Sequence, residues 1–284
     1  MEDWEKIVDA LDNATDKGVD AFIAEMLPVS KKYFEKLIDS AVELKLKIGT
    51  KSPNSKEMAE NLRKLAKLNA QLSKMLMDSG YKDKVSEYIT LFKGSQQAID
   101  LYYTTIVSSY KPSKELFQSI LESNLSTTTE SLLNSGIDAN YTEGIKKILR
   151  DVVTGNGDYA LLKKNLKEYI LGNEEIKPRL KSYSGQVASD AVRQFQRNYF
   201  NAVSEDLGLE YYFYRGTAIR DTRDFCQQRH GHYYTKEEVQ RWANSNWQGK
   251  VSSTNTVTIF VYCGGWNCRH MLLPISETIY KSKV

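Results

Sequence analysis

The sequence predicts an α+β protein, with a long all-α N-terminal region followed by a small α+β module. Three observations predict it. Over the first 200 residues apolar side chains recur at spacings of three and four, and Gly and Pro serve mainly as punctuation. After Gly208 the texture changes: residues 204–284 hold 13 of the 31 aromatic residues and three of the four Trp. The same stretch carries two aromatic or β-branched runs, 211–214 and 256–262, that read as strands. The expected organisation is a helical region over 1–180 and a module over 181–284.

The helices can be justified in order. Pro28, Pro53, Pro112 and Pro178 each mark an expected helix start, where a missing N–H costs nothing. Met58, Leu62, Leu65, Leu72 and Leu76 form the stripe of an amphipathic helix, read as ordinary core or as a coiled-coil seam for a partner. Thr127-Thr128-Thr129-Glu130 offers a capping box, with Gly136 placed to end the short helix it would start. Asp158 is a good N-cap for a helix through Leu171, closed by Gly172-Asn173. A long helix is expected from Glu174 to about Asp206, with Val187, Ala191, Phe195, Tyr199 and Val203 as its apolar face. Residues 236–244 read as a short helix capped by Thr235, with Glu238 three residues on.

Composition narrows the function classes. The 284 residues are 41% hydrophobic and 26% charged, enough to build a core. A mean hydropathy of −0.50 and the lack of a long apolar run argue against a membrane partner. The opening Met1-Glu2-Asp3-Trp4-Glu5-Lys6 does not read as a secretory signal, so assembly in a cytoplasm is expected. A net charge of +3 is too mild to argue by itself for nucleic acid.

The three Cys and three His are the most informative residues. Cys226, His230, His232, Cys263, Cys268 and His270 all lie within 45 residues. They form two arms, Cys226-x3-His230-x-His232 and Cys263-x4-Cys268-x-His270. Thiolates and imidazoles are the donors Zn²⁺ prefers. The ligand set expected is Cys226, Cys268 and His270, with His232, His230 or Cys263 as the fourth. Zinc, a Cys226–Cys268 disulfide and metal-free packing all remain open at this level. A Cys226–His230 dyad would be the catalytic reading, though no third orienting group is marked. Tyr214-Arg215-Gly216, Ser252-Ser253-Thr254 and Glu277 follow an order that ADP-ribosyl transfer would use, but Ile275 stands where a second acid belongs.

Five segments in order resemble a known module. They are Phe213 to Cys226 with its D-x-x-R-x-x-C pattern, Gly231-His232-Tyr233-Tyr234, Trp247-Gln248-Gly249-Lys250, Gly264-Gly265-Trp266-Asn267-Cys268-Arg269-His270, and Leu273-Pro274-Ile275-Ser276. Together they resemble the phage Mu F-like head morphogenesis family, the minor head or minor capsid proteins of tailed phages. Many members end in His-Pro-Asn-Cys-Arg-Cys, whereas this chain has Gly265-Trp266-Asn267-Cys268-Arg269-His270. The resemblance implies a non-enzymatic virion component that associates with portal and capsid proteins during head assembly in the host cytoplasm, and that contacts packaged DNA. The rival class is a zinc- or Cys-dependent enzyme domain, such as a nuclease, a peptidase or a toxin-like transferase. Arg223, Trp247, Trp266, Asn267 and Arg269 are the expected structural or interface residues, with Asp221 and Asp224 pairing Arg223 or Arg269 to join the two arms.

Overall fold

The computed structural model describes residues 2–284 and is α+β, as the sequence predicts. Helices α1 (Asp3–Ala41), α2 (Ser55–Leu76), α3 (Lys82–Ile106), α4 (Lys114–Leu133), α5 (Ser135–Ile137), α6 (Glu143–Thr154), α7 (Tyr159–Leu171) and α8 (Arg179–Asp206) come first. The module follows with β1 (Tyr211–Gly216), α9 (Asp224–Gln227), β2 (Tyr233–Thr235), α10 (Lys236–Trp242), α11 (Ile259–Tyr262), β3 (His270–Ile275) and α12 (Glu277–Lys283).

The chain forms two compact units. One comprises Val19–Tyr88 and Thr127–Val187; the other comprises Met1–Gly18, Ile89–Ser126 and Ala188–Val284. The C-terminal module therefore shares its unit with segments from the helical half, and the chain passes between the units inside α8, after Val187.

The first unit is helical apart from its connecting loops, which carry two isolated β-bridges, Lys47–Asp158 and Ile48–Lys51. Asn54 caps α2 through a capping box with Glu57. The buried face of α2 is Asn61, Leu65, Leu68, Leu72 and Leu76, whereas Leu62 is 46% exposed. Asn61 takes the place expected of an apolar residue because its amide satisfies both backbone groups of Lys45. A π-helical turn, Met77–Tyr81, joins α2 to α3, with Gly80 in the left-handed region at φ +96°. Asp158 accepts from the Leu161 N–H and caps α7 as expected.

Four helix expectations need correction. Pro28 lies inside α1 instead of starting a helix; the buried residues Met26, Val29, Tyr33 and Leu37 carry the helix through it. Thr127–Glu130 lies within α4, which Ser113 caps by accepting from Leu116 N–H. Phe117, Leu121, Thr128 and Leu132 form one continuous buried face there, so no new start is needed, and Glu130 reaches forward to Ser135. Helix α8 begins at Arg179 rather than Glu174, because Asn173 folds the intervening residues into a turn and Pro178 follows. Its apolar stripe is shifted by one residue in its first half: Ala188 and Val192 are buried, with Val187 and Ala191 only half-buried.

The second unit contains the sheet. Its order is β2-β1-β3, antiparallel throughout, with Tyr211 paired to Thr235 on one side and Gly216 to His270 on the other. Pro274 is tolerated because β3 is an edge strand. Trp4 packs edge-on against Tyr102 and Phe213, and the Tyr102 hydroxyl donates to the Pro274 carbonyl. The segment 256–262 is not a strand. The Asn255 side chain accepts from Val257 and Thr258 N–H groups, which turns the chain into α11 and buries Ile259 and Phe260. The module core contains Tyr212, Tyr214, Phe225, Val239, Trp242 and Leu272, and all three cysteines lie in it.

Candidate metal centre

Two local structures bring the donors together. Cys226 and His230 are one helical turn apart, and the His230 N–H donates to the Cys226 carbonyl at 2.9 Å. Cys268 and His270 lie at the entry to β3, where the His270 N–H donates to Cys268 Sγ at 3.3 Å. Between them runs a tight loop in which Cys263 and Asn267 both adopt positive φ, at 45° and 55°. Gly264 sits in that loop against both thiols: a Cβ there would lie 2.4 Å from Cys226 Sγ and 2.7 Å from Cys268 Sγ. No side chain other than hydrogen fits.

Cys226, Cys268 and His270 form a buried group able to hold a metal ion, their donor atoms lying within 4.8 Å of one another. The sulfurs are 3.8 Å apart and both cysteines are free. The Tyr214 hydroxyl donates to Cys226 Sγ at 3.3 Å, and its ring stacks on His270. His270 is 2% exposed, yet its Nε2 has no hydrogen-bond partner. A buried polar atom without a partner is costly, and a metal ion would satisfy it.

The electrostatics suit the same role. The two thiols are shifted in opposite directions. The hydrogen bond from Cys226, helped by His270 and the positive charge of Arg197, holds Cys268 well below the usual thiol value. Cys226, donating to Cys268 and buried, is pushed up. Burial raises the Cys263 thiol to about 12, and its S–H donates to the Phe260 carbonyl, outside the group. His230 meets the His270 ring edge-on, with centroids 5.4 Å apart. Partial burial and the neighbouring His270 lower its pKa, so it is a neutral donor near pH 7. His232, expected as a fourth ligand, is exposed and falls outside the group; its carbonyl accepts the Tyr214 N–H, which ties its backbone to β1.

The other expected residues surround the centre. Arg223 joins the two arms, but through carbonyls: it donates to Trp266 O at 2.6 Å and to Gly264 O at 3.4 Å. Among the described residues no ion pair includes Asp221, Asp224 or Arg269. The tight loop presents peptide oxygens rather than carboxylates to Arg223, and a guanidinium fork suits them. Trp247 stacks on Phe225 and donates from Nε1 to Gly264 O at 2.9 Å. Asn267 offers its backbone N–H to Asp190 at 2.7 Å, and Trp266 is 53% exposed. Arg215 pairs with Asp9 and Glu277 with Lys281, so neither stands free as ADP-ribosyl transfer would need. A cleft of 570 Å³ opens beside Arg223, Phe225, Arg229 and Trp247, and none of the three cluster residues lines it.

Sequence reasoning missed Tyr214 and Arg197. Arg197 is buried on α8 and donates to the carbonyls of Val261, Cys268 and His270. The available signal was a pair of arginines, Arg193 and Arg197, four residues apart on a helix face otherwise filled by Val192, Phe195 and Phe200. Compared with known proteins, the chain matches no family model, no curated protein and no solved structure.

Proposed function

We propose that the chain is a minor structural protein of a tailed-phage head, which joins portal and capsid proteins during assembly and stays in the virion, and that its module is held by a zinc ion. The reading rests on the resemblance to the Mu F-like family. One observation supports it above the others: segments far apart in the sequence, each part of that resemblance, converge on a single loop. Arg223 and Trp247 both donate to the Gly264 carbonyl, and Phe225 stacks on Trp247. The motif residues are used on one another, as in a module that must hold its shape while partners assemble on it.

Zinc fits the donor chemistry of Cys226, Cys268 and His270. A nuclease, peptidase or transferase would need an open coordination position or an exposed low-pKa thiol. Cys226 is buried with a raised pKa, which favours the structural role. Zinc would close the two arms and supply folding free energy.

The test is co-purification of the full chain with the portal protein encoded beside it, followed by mass spectrometry of mature particles. Recovery with the portal, and in heads, is the expected result. A chain that neither binds portal or capsid proteins nor occurs in particles overturns the assignment. DNA contact is read separately, by retention on DNA at increasing salt; the mild net charge of +3 predicts weak retention.

A further inference from the structure

The three-residue group leaves one tetrahedral position open, and the ring of His230, an exposed residue outside that group, meets the ring of His270 edge-on. We propose that His230 is the fourth ligand, so that Cys226, His230, Cys268 and His270 form a closed zinc site with two sulfurs and two nitrogens. This rests on the zinc reading above and adds the residue that decides whether the site is closed or open.

Distances carry the argument. Zinc bonded to two thiolates at about 2.3 Å in tetrahedral geometry holds the sulfurs about 3.8 Å apart. That is the observed separation, whereas a disulfide requires about 2.05 Å. Two imidazoles on one tetrahedral ion have ring centres about 5 Å apart. His230 and His270 stand at 5.4 Å with their planes at 90°. Each arm thus supplies one sulfur and one nitrogen, from a turn of helix on one side and a strand entry on the other.

The remaining donors are otherwise engaged. Tyr214 hydroxyl is hydrogen-bonded to a ligand sulfur and Cys263 to a carbonyl; His230 and His232 are both exposed and outside the 4.8 Å group, and of the two it is His230 whose ring meets that of His270. Binding would proceed as Zn²⁺ plus Cys226 and Cys268 giving a dithiolate complex, with whatever protons the two sulfurs still hold released to solvent. Two thiolates neutralise the ion, so the buried centre carries no net charge. The Nε2 of His270 is buried without a hydrogen-bond partner, which a bound ion would satisfy.

The experiment is a cobalt(II) titration of the full chain after chelator treatment, followed by displacement with zinc. The wild type is expected to bind one equivalent, with a thiolate-to-cobalt charge-transfer band and the intense visible bands of a four-coordinate ion. His230→Ala should keep the charge-transfer band, change the visible bands as water enters the fourth position, and weaken zinc binding about tenfold or more. His232→Ala should change neither. Circular dichroism confirms that each variant is folded, which the exposed position of His230 favours. A His230→Ala chain matching the wild type in spectrum and affinity overturns the fourth ligand and leaves the zinc reading standing. A wild type that takes up neither metal overturns both.

Discussion

Arg197 on α8 donates through one guanidinium nitrogen to the carbonyl of His270 at 2.7 Å, and through the same nitrogen to that of Cys268. A buried cation thus holds the backbone of the strand that carries two candidate ligands. Its charge also favours thiolate at Cys268.

Replacing Arg197 with Met should remove the guanidinium donor from those buried carbonyls and from that of Val261. The expected loss is about 3–5 kcal/mol, read as a lower urea midpoint. Arg197→Lys should recover only part of it, since an ammonium cannot reproduce the planar fork. A Met variant as stable as the wild type would refute this role.

Gly264→Ala removes no ligand yet should disable the centre. The added methyl would fall within 2.4 Å of Cys226 Sγ. Zinc content measured by elemental analysis should drop well below that of the wild type purified alongside it, with a lower melting temperature. Chelating the wild type should lower its melting temperature in the same direction.

Arg223 and Arg269 separate two ways of joining the arms. Arg223→Ala removes donors from Gly264 and Trp266 carbonyls and should cost about 1–2 kcal/mol. The Arg269 side chain makes no ion pair among the described residues, so Arg269→Ala should change stability by less than about 0.5 kcal/mol. Thermal melts of the two variants side by side decide it; a larger loss for Arg269 would restore the carboxylate pairing expected from the sequence.

Asp12 gives a pH dependence. Burial pushes its carboxyl to about 6, against the pull of Arg193 and Arg215 and with Asp16 and Asp9 adding to the rise. Between about pH 4 and 6 the folded chain holds a proton that the unfolded chain has released. Stability therefore falls as pH rises through that window and levels off above it, by at most about 3 kcal/mol. Asp12→Asn should flatten this slope and raise stability at pH 7 by about 2 kcal/mol. Urea midpoints at pH 4, 5 and 7 measure it, and an unchanged slope in the variant would contradict it.

The sequence made the division between a helical body and an aromatic module legible, because periodicity and residue type are local properties. It also revealed Cys226, Cys268 and His270, since donors of one chemistry were crowded into a short stretch. It misread 256–262, where β-branched residues are bent by the Asn255 side chain. It misread Thr127–Glu130, where the apolar face of α4 overrides a capping pattern. It ranked His232 with His230, because spacing alone cannot tell which histidine ring meets that of His270 and which residue leads into a strand. Arg197 could not be assigned a partner, since its acceptors are backbone carbonyls more than sixty residues away and any sequence supplies carbonyls.

The sheet has a consequence for behaviour at high concentration. β2 is only three residues long, and β3 on the opposite edge is buried along its whole length and interrupted by Pro274. Neither edge offers another chain a usable row of free N–H and C=O groups. Strand addition and edge-to-edge aggregation are thereby disfavoured, so copies of this chain can be crowded together without templating one another into fibrils.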